Sequence, residues 1–249
     1  MSADKWTLKP APRPDARLTL VCLHHAGGGA YSYRAWGQQL RPDIELVAIQ
    51  LPGRENRASE PLLASVEAAL DGIVGAIEDI ARRPYALFGH SLGAVLAYLT
   101  ARRLSQRDAA SPPTRLFLSS AIPPARSSAD LRLPPSDASL IRRLGRLGGT
   151  PAAVLDDPRM LRAFLPALRA DFELLRQCVD EDHDPLPVPF TLLRGRDDKT
   201  LDIDAFQSWG ARSAAAVEER LFPGGHFYIQ AAQAKVVALV NAALEAPPA

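Results

Sequence analysis

Gly-His-Ser-Leu-Gly, residues 89–93, sets a serine between two glycines where an apolar, β-friendly run, Tyr85–Phe88, gives way to a helix-forming one. A serine hydroxyl is a poor nucleophile until a base takes its proton, and the base must be oriented by a third group. Five letters of this kind arise by chance in about one chain in twenty of this composition, so the partners decide whether they mean anything. Where a serine stands at a strand-to-helix elbow, the partners follow in the order serine, acid, histidine, on loops after later strands. His226, in Leu-Phe-Pro-Gly-Gly-His-Phe-Tyr-Ile, lies just after the last apolar run and before the last helical one, where the base belongs. The plainer role for it is a cap on that helix. His24 and His25 precede the serine, His90 is inside the turn, and His183 sits in Asp-Glu-Asp-His-Asp-Pro.

Asp197 and Asp198, after Leu192–Leu193 and the turn at Gly195, supply the acid. Either could instead be a solvated turn carboxylate or a helix cap. Adjacent side chains in a loop point to different sides, so one of the two at most reaches the histidine, and Asp198 is favoured. Acyl transfer also needs donors for the developing oxyanion. The backbone N–H of Leu92, directly after the serine, is one. The loop His-His-Ala-Gly-Gly-Gly-Ala, residues 24–30, offers the other through the N–H of Ala26. The same glycines lack the Gly-Lys-Ser/Thr ending of a phosphate loop and the spacing of a dinucleotide fingerprint. Ser91 is therefore read as a nucleophile at an elbow, with Gly89 and Gly93 beside it because side chains would clash there.

Six short apolar runs read as strands: Leu18–Leu23, Leu46–Leu51, Tyr85–Phe88, Arg115–Ser119, Phe190–Leu193 and Glu218–Phe222. Most are continuous rather than alternating, as in strands covered on both faces. Helical patterns such as Ser65–Arg82 and Ser91–Leu104 lie between them, which calls for a parallel sheet with right-handed crossovers. Between Ala121 and Pro187 no strand is expected. Two amphipathic stripes are, one through Leu140, Ile141, Leu144 and Leu147 and one from Met160 to Leu175. Asp157 and Pro158 start the second, and Pro166 should kink or divide it. The fold class read here is α/β: an α/β-hydrolase fold, a mostly parallel sheet flanked by helices with an inserted helical lid. Residues 1–249 form one domain, with 124–187 as the lid. Packing of those helices on the main core is the alternative.

The composition sets outer limits. A chain of 249 residues, 47% hydrophobic and 23% charged, describes an ordinary globule. A formal net charge of +1 speaks against a dedicated nucleic-acid or anionic-membrane surface. Two cysteines, Cys22 and Cys178, are too few for a disulfide framework, and Cys22 reads as a small buried hydrophobe. The first twenty residues carry charges and prolines where a secretory signal needs an apolar core, and no run is long enough to span a membrane. The expectation is a cytoplasmic protein.

These features together resemble the type II thioesterases, the stand-alone editing enzymes of polyketide and nonribosomal peptide assembly lines. The resemblance covers nearly the whole chain: Ala-Gly-Gly-Gly-Ala with Tyr-Arg-Ala-Trp after it, Gln50–Arg57, Phe-Gly-His-Ser-Leu-Gly-Ala, Leu147–Pro151, Leu165–Phe172, Gly-Arg-Asp-Asp and Phe-Pro-Gly-Gly-His-Phe. The Pro-Gly-Arg-Glu and Arg-Ala-Asp-Phe runs are the most specific, since generic esterases lack them. The resemblance implies Ser91, Asp198 and His226 as the catalytic triad, with Ala26 and Leu92 as the oxyanion pair. It implies hydrolysis of aberrant or stalled acyl groups from the phosphopantetheine arm of an acyl or peptidyl carrier protein in antibiotic biosynthesis. The enzyme would be a monomer and need no cofactor or metal. Release of medium-chain fatty acids from a fatty-acid carrier is the second reading, a general carboxylesterase the third, and a binding-only hydrolase fold the fourth. The chain departs from the family at His24 and Lys199, both positions where a proline is usual.

Overall fold

A computed structural model describes residues 3–78, 80–107, 112–124, 136–150, 156–180 and 184–245. Its strands are β1 (Thr7–Leu8), β2 (Leu18–Leu23), β3 (Ile44–Ile49), β4 (Tyr85–His90), β5 (Leu116–Ser119), β6 (Phe190–Gly195) and β7 (Val217–Phe222). They form one sheet in the order β1-β3-β2-β4-β5-β6-β7. All six expected strands are present, with ends displaced by up to two residues. β1 was not expected. It pairs antiparallel with β3, Thr7 opposite Ile49, and two residues carry no periodicity to read. The remaining pairings are parallel.

Every residue of β2, β3 and β4 is buried, which is why these segments read as largely apolar runs. Side chains alternate between two cores. Val21, Leu23 and Leu87 face helices α1 (Val66–Glu78) and α2 (Leu92–Ser105). Leu20, Cys22 and Phe88 face the opposite layer, with Tyr33, Trp36 and the buried valines of the C-terminal helix. Cys22 is buried and free, as expected of a small hydrophobe. Among the described residues no helix is long and apolar enough to cross a membrane.

The two amphipathic stripes form α3 (Asp137–Leu147) and α4 (Pro158–Gln177). The Asp157 side chain accepts from the Arg159 N–H at 2.7 Å, and Pro158 occupies the first turn. Pro166 does not divide α4. An interior proline costs about 3 kcal/mol. Leu161, Leu165 and Leu168 pack with Leu140 and Leu144 in a separate small core, and burial at about 1.5–3 kcal/mol per leucine outweighs that cost. Of the expected insertion, residues 125–135, 151–155 and 181–183, Pro151 and His183 among them, lie outside the described residues. Three further helices follow: α5 (Ile203–Gln207), α6 (Tyr228–Ala231) and α7 (Gln233–Ala243).

Helix α3 buries only Leu140 and Leu144, whereas β4 is paired on both edges. Amide exchange followed by mass spectrometry should therefore be much faster across 137–147 than across 85–90, since opening of α3 breaks few contacts. Equal protection would show that α3 belongs to the folding core.

Candidate active site

Parallel strands end along one edge of the sheet, and β4 delivers Ser91 there. Ser91 has φ 55° and ψ −120°, a conformation unfavourable for a side-chain-bearing residue, and α2 begins immediately after it. Its N–H donates to the Ser119 carbonyl at 2.8 Å, tying the elbow to β5. A Cβ at Gly89 would collide with the carbonyl of Gly93, and one at Gly93 with the carbonyls of Leu23 and His24. The flanking glycines thus let α2 start directly beneath the end of β2.

Two loops bring carboxylate and imidazole together. The one after β6 turns at Gly195, and Asp198 Oδ2 accepts from His226 Nδ1 at 2.9 Å. The other oxygen, Oδ1, accepts from the Thr200 hydroxyl at 2.6 Å and the Thr200 N–H at 3.0 Å. Burial alone would raise the Asp198 carboxyl; the bonds from His226 and Thr200 outweigh it and hold the group below its ordinary value. Asp197 points elsewhere, to the Gly224 N–H at 3.3 Å. With Nδ1 donating to the carboxylate, Nε2 of His226 is left as the acceptor.

Ser91 and His226 line one cavity of about 920 Å³, together with His25, Ala26 and apolar side chains of the helical insertion that include Leu168 and Phe172. This size suits a small organic ligand. Burial, with Arg54 nearby, drives His24 down to about 3. Burial, with His24 and His226 nearby, does the same to His25. Burial also pushes His90 well below its usual value, and its Nδ1 is engaged with the Ser119 hydroxyl at 2.8 Å. Such weakly basic imidazoles are poor bases near neutral pH. His24 stands where a proline was expected, but it is fully enclosed and bonds the carbonyl of His25 at 2.8 Å. Lys199, at the other departure, lines the cavity. Ala26 also lines it, and Leu92 is the first residue of α2, where amides lack intrahelical acceptors. Among the described residues no His, Cys, Asp and Glu side chains cluster as a metal site would.

A family model for the thioesterase domain matches residues 18–244. The chain belongs to the thioesterase family. It is 32% identical over 228 residues to the gramicidin S biosynthesis protein GrsT of Aneurinibacillus migulanus, spanning 91% of this chain and 88% of the relative. It is also 32% identical over 223 residues to the medium-chain S-acyl fatty acid synthase thioesterase of Homo sapiens, spanning 87% of this chain and 82% of the relative. The solved structure of the type II thioesterase BorB from the borrelidin biosynthetic cluster superposes with a TM-score of 0.84 at 28% identity, over 98% of this chain and 100% of that one. The thioesterase has the α/β-hydrolase fold.

Two groups in this thioesterase escaped sequence reasoning. Thr200 supports Asp198, and the signal was a hydroxyl two residues beyond an aspartate, the spacing of a side-chain turn. Arg54 of one specific motif and Asp171 of the other meet in a buried ion pair. No spacing rule joins residues so far apart in the chain.

The geometry yields two expectations for variants. Strain at a residue such as Ser91 is of order 1–3 kcal/mol, and glycine is free of it apart from about 0.5–1 kcal/mol of extra chain entropy. Ser91→Gly should therefore raise the melting temperature by about 2–4 °C while abolishing hydrolysis; an unchanged or lower value means that any strain there does not exceed the entropy cost of glycine. Asp198→Asn should lower turnover by about 10⁴-fold, as loss of the orienting carboxylate does elsewhere. Asp197→Asn should stay within a few-fold of the parent. Steady-state rates of the two proteins side by side decide it, and a reversed order would make Asp197 the acid.

Proposed function

We propose that this thioesterase hydrolyses acyl groups from the phosphopantetheine arm of acyl or peptidyl carrier proteins, as a monomer in the cytoplasm, removing aberrant or stalled chains. The observation that carries the reading is that His226, bonded to Asp198, lines the same cavity as Ser91, in a chain related to GrsT and BorB. Ser91 Oγ attacks the thioester carbonyl while His226 Nε2 takes its proton. The oxyanion faces the N–H groups of Ala26 and Leu92. The C–S bond breaks and His226 returns the proton to the leaving sulfur. Water then attacks the acyl-serine with His226 again as base, releasing the carboxylic acid and restoring Ser91.

Residues 124–187 form a lid in this reading, with α3 and α4 as its described parts, and their apolar side chains receive the acyl group. Arg143, Arg146 and Lys199 also line the cavity. These cations suit the phosphate of the pantetheine arm, which neither a nucleic acid nor a membrane need supply. The similarity to the human fatty acid synthase enzyme supports a second reading, release of medium-chain fatty acids, and a cavity of about 920 Å³ has room for such a chain.

Binding energy from the arm and the carrier surface can be used at the reacting carbonyl, so truncated substrates should lose turnover as well as affinity. One acyl group presented on a phosphopantetheinylated carrier, on N-acetylcysteamine and on p-nitrophenol should give the highest kcat/KM on the carrier. Preference among acyl groups of similar length should be shallow, because one methylene changes apolar binding by only about 1–3 kcal/mol. A steep optimum at medium chain length would establish the fatty-acid reading. The nitrophenyl ester emerging best, after correction for its intrinsic reactivity, would leave a general esterase.

A further inference from the structure

Asp171 lies on α4 and has no exposed surface. Its Oδ2 accepts the Gly27 N–H at 2.7 Å and Arg54 Nη1 at 2.5 Å, and its Oδ1 accepts Arg54 Nη2 at 2.7 Å. Arg54 Nη1 also reaches the Gly28 carbonyl at 3.2 Å. The ion pair therefore grips the glycine loop from both sides, taking an N–H at residue 27 and a C=O at residue 28. Gly27 has φ 74°, and a Cβ there would meet Phe164 at 2.6 Å and Leu168 at 3.0 Å, so α4 rests directly on the loop. Further along, the Ala30 N–H donates to Gln50 Oε1 at 2.9 Å and the Tyr31 N–H to Glu55 Oε2 at 3.1 Å. Side chains thus hold the loop's amides at three points beyond Ala26.

The Gly27 N–H and the Ala26 C=O belong to one planar peptide unit. Fixing the direction of that N–H fixes ψ of Ala26 and, through it, how the residue sits against the cavity. We infer that Asp171, clamped by Arg54, is a positioning residue for acyl transfer: from a helix that walls the acyl cavity, it holds the Ala26–Gly27 peptide so that the Ala26 N–H faces the oxyanion. The inference rests on the acyl-transfer reading of Ser91 given above. It also makes α4 serve two purposes. Leu168 and Phe172 line the cavity while Asp171, between them in sequence, sets the oxyanion loop. Acceptance of an acyl chain and readiness for chemistry are coupled through one helix.

The test compares the full-length parent with Asp171→Asn and Arg54→Lys on an acyl N-acetylcysteamine thioester. Alongside turnover, it measures inhibition by an alkylboronic acid, whose boron bonds Ser91 Oγ to give a tetrahedral adduct resembling the transition state. Losing one oxyanion donor lowers kcat by about 10²–10³-fold. Asp171→Asn should lose kcat on that scale with KM within about three-fold, and the boronate should weaken by the factor lost in kcat/KM. Arg54→Lys keeps the charge but loses the fork, so it should show a smaller loss in the same direction. A folded variant with kcat and boronate affinity unchanged overturns the inference. So does a raised KM at unchanged kcat, which would mean that the pair merely seats the lid. If Asp171→Asn fails to fold, Arg54→Lys decides by the same criteria. A parent that neither turns over the thioester nor binds the boronate would instead defeat the acyl-transfer reading itself.

Discussion

The close approach of α2 to the end of β2 is the constraint on which the rest of the site depends. No side chain fits at Gly93 beneath the carbonyls of Leu23 and His24, and none fits at Gly89 against the first turn of the helix. The chain can make that contact only by passing through a strained residue, and Ser91 is that residue. A strain of order 1–3 kcal/mol is small beside the burial on either side. Leu87, Phe88, Leu92, Val95 and Leu96 are almost wholly enclosed, each contributing about 1.5–3 kcal/mol. The core over-determines the elbow. Once the elbow is set, the proposed nucleophile stands at the carboxyl ends of β2, β4 and β5, where the loops after β2, β6 and β7 converge.

Electrostatics then sorts the histidines. His24, His25, His90 and His226 lie close together, and protonating any one disfavours protonating its neighbours. Burial removes the charge from His24, His25 and His90, which then pack as aromatic rings: His25 sets its edge against Phe227 with centroids 4.9 Å apart. Among these, His226 is the one bonded to a carboxylate. A cluster of histidines beside a proposed base would compromise it if each could charge near neutral pH. The burial of three of them leaves the Asp198 carboxylate to act on a single imidazole.

What the sequence revealed follows the range of the interactions involved. Strands β2 to β6 were legible because burial on both faces writes a largely apolar run, and chain order pointed to Ser91, Asp198 and His226, of which the structure joins the last two by a hydrogen bond. The choice between Asp197 and Asp198 needed loop geometry: the two carboxylates diverge, one to His226 and one to Gly224. β1 was invisible at two residues. Pro166 does not divide α4 because the leucine cluster that α4 forms with α3 outweighs its local penalty. The Arg54–Asp171 pair, separated by 117 positions, left only two charged letters inside motifs whose reason could not be read.

That pair also explains how the helical insertion holds a defined position. The leucines between α3 and α4 form a core of their own, and an apolar contact of that kind is non-directional; leucines can slide past one another with little loss. A buried ion pair is poorly suited to adding stability, since desolvating both charges offsets most of their attraction. Breaking it by removing one partner is costly, about 3–5 kcal/mol, because the survivor is stranded. A group whose correct pairing adds little and whose mispairing costs much selects one arrangement over its neighbours. Asp171 meets two nitrogens of Arg54 and one amide of the glycine loop, and a displacement of α4 by a single turn would satisfy none of them. The apolar contacts keep the insertion against α2 and the glycine loop, and the ion pair sets where along that loop it rests.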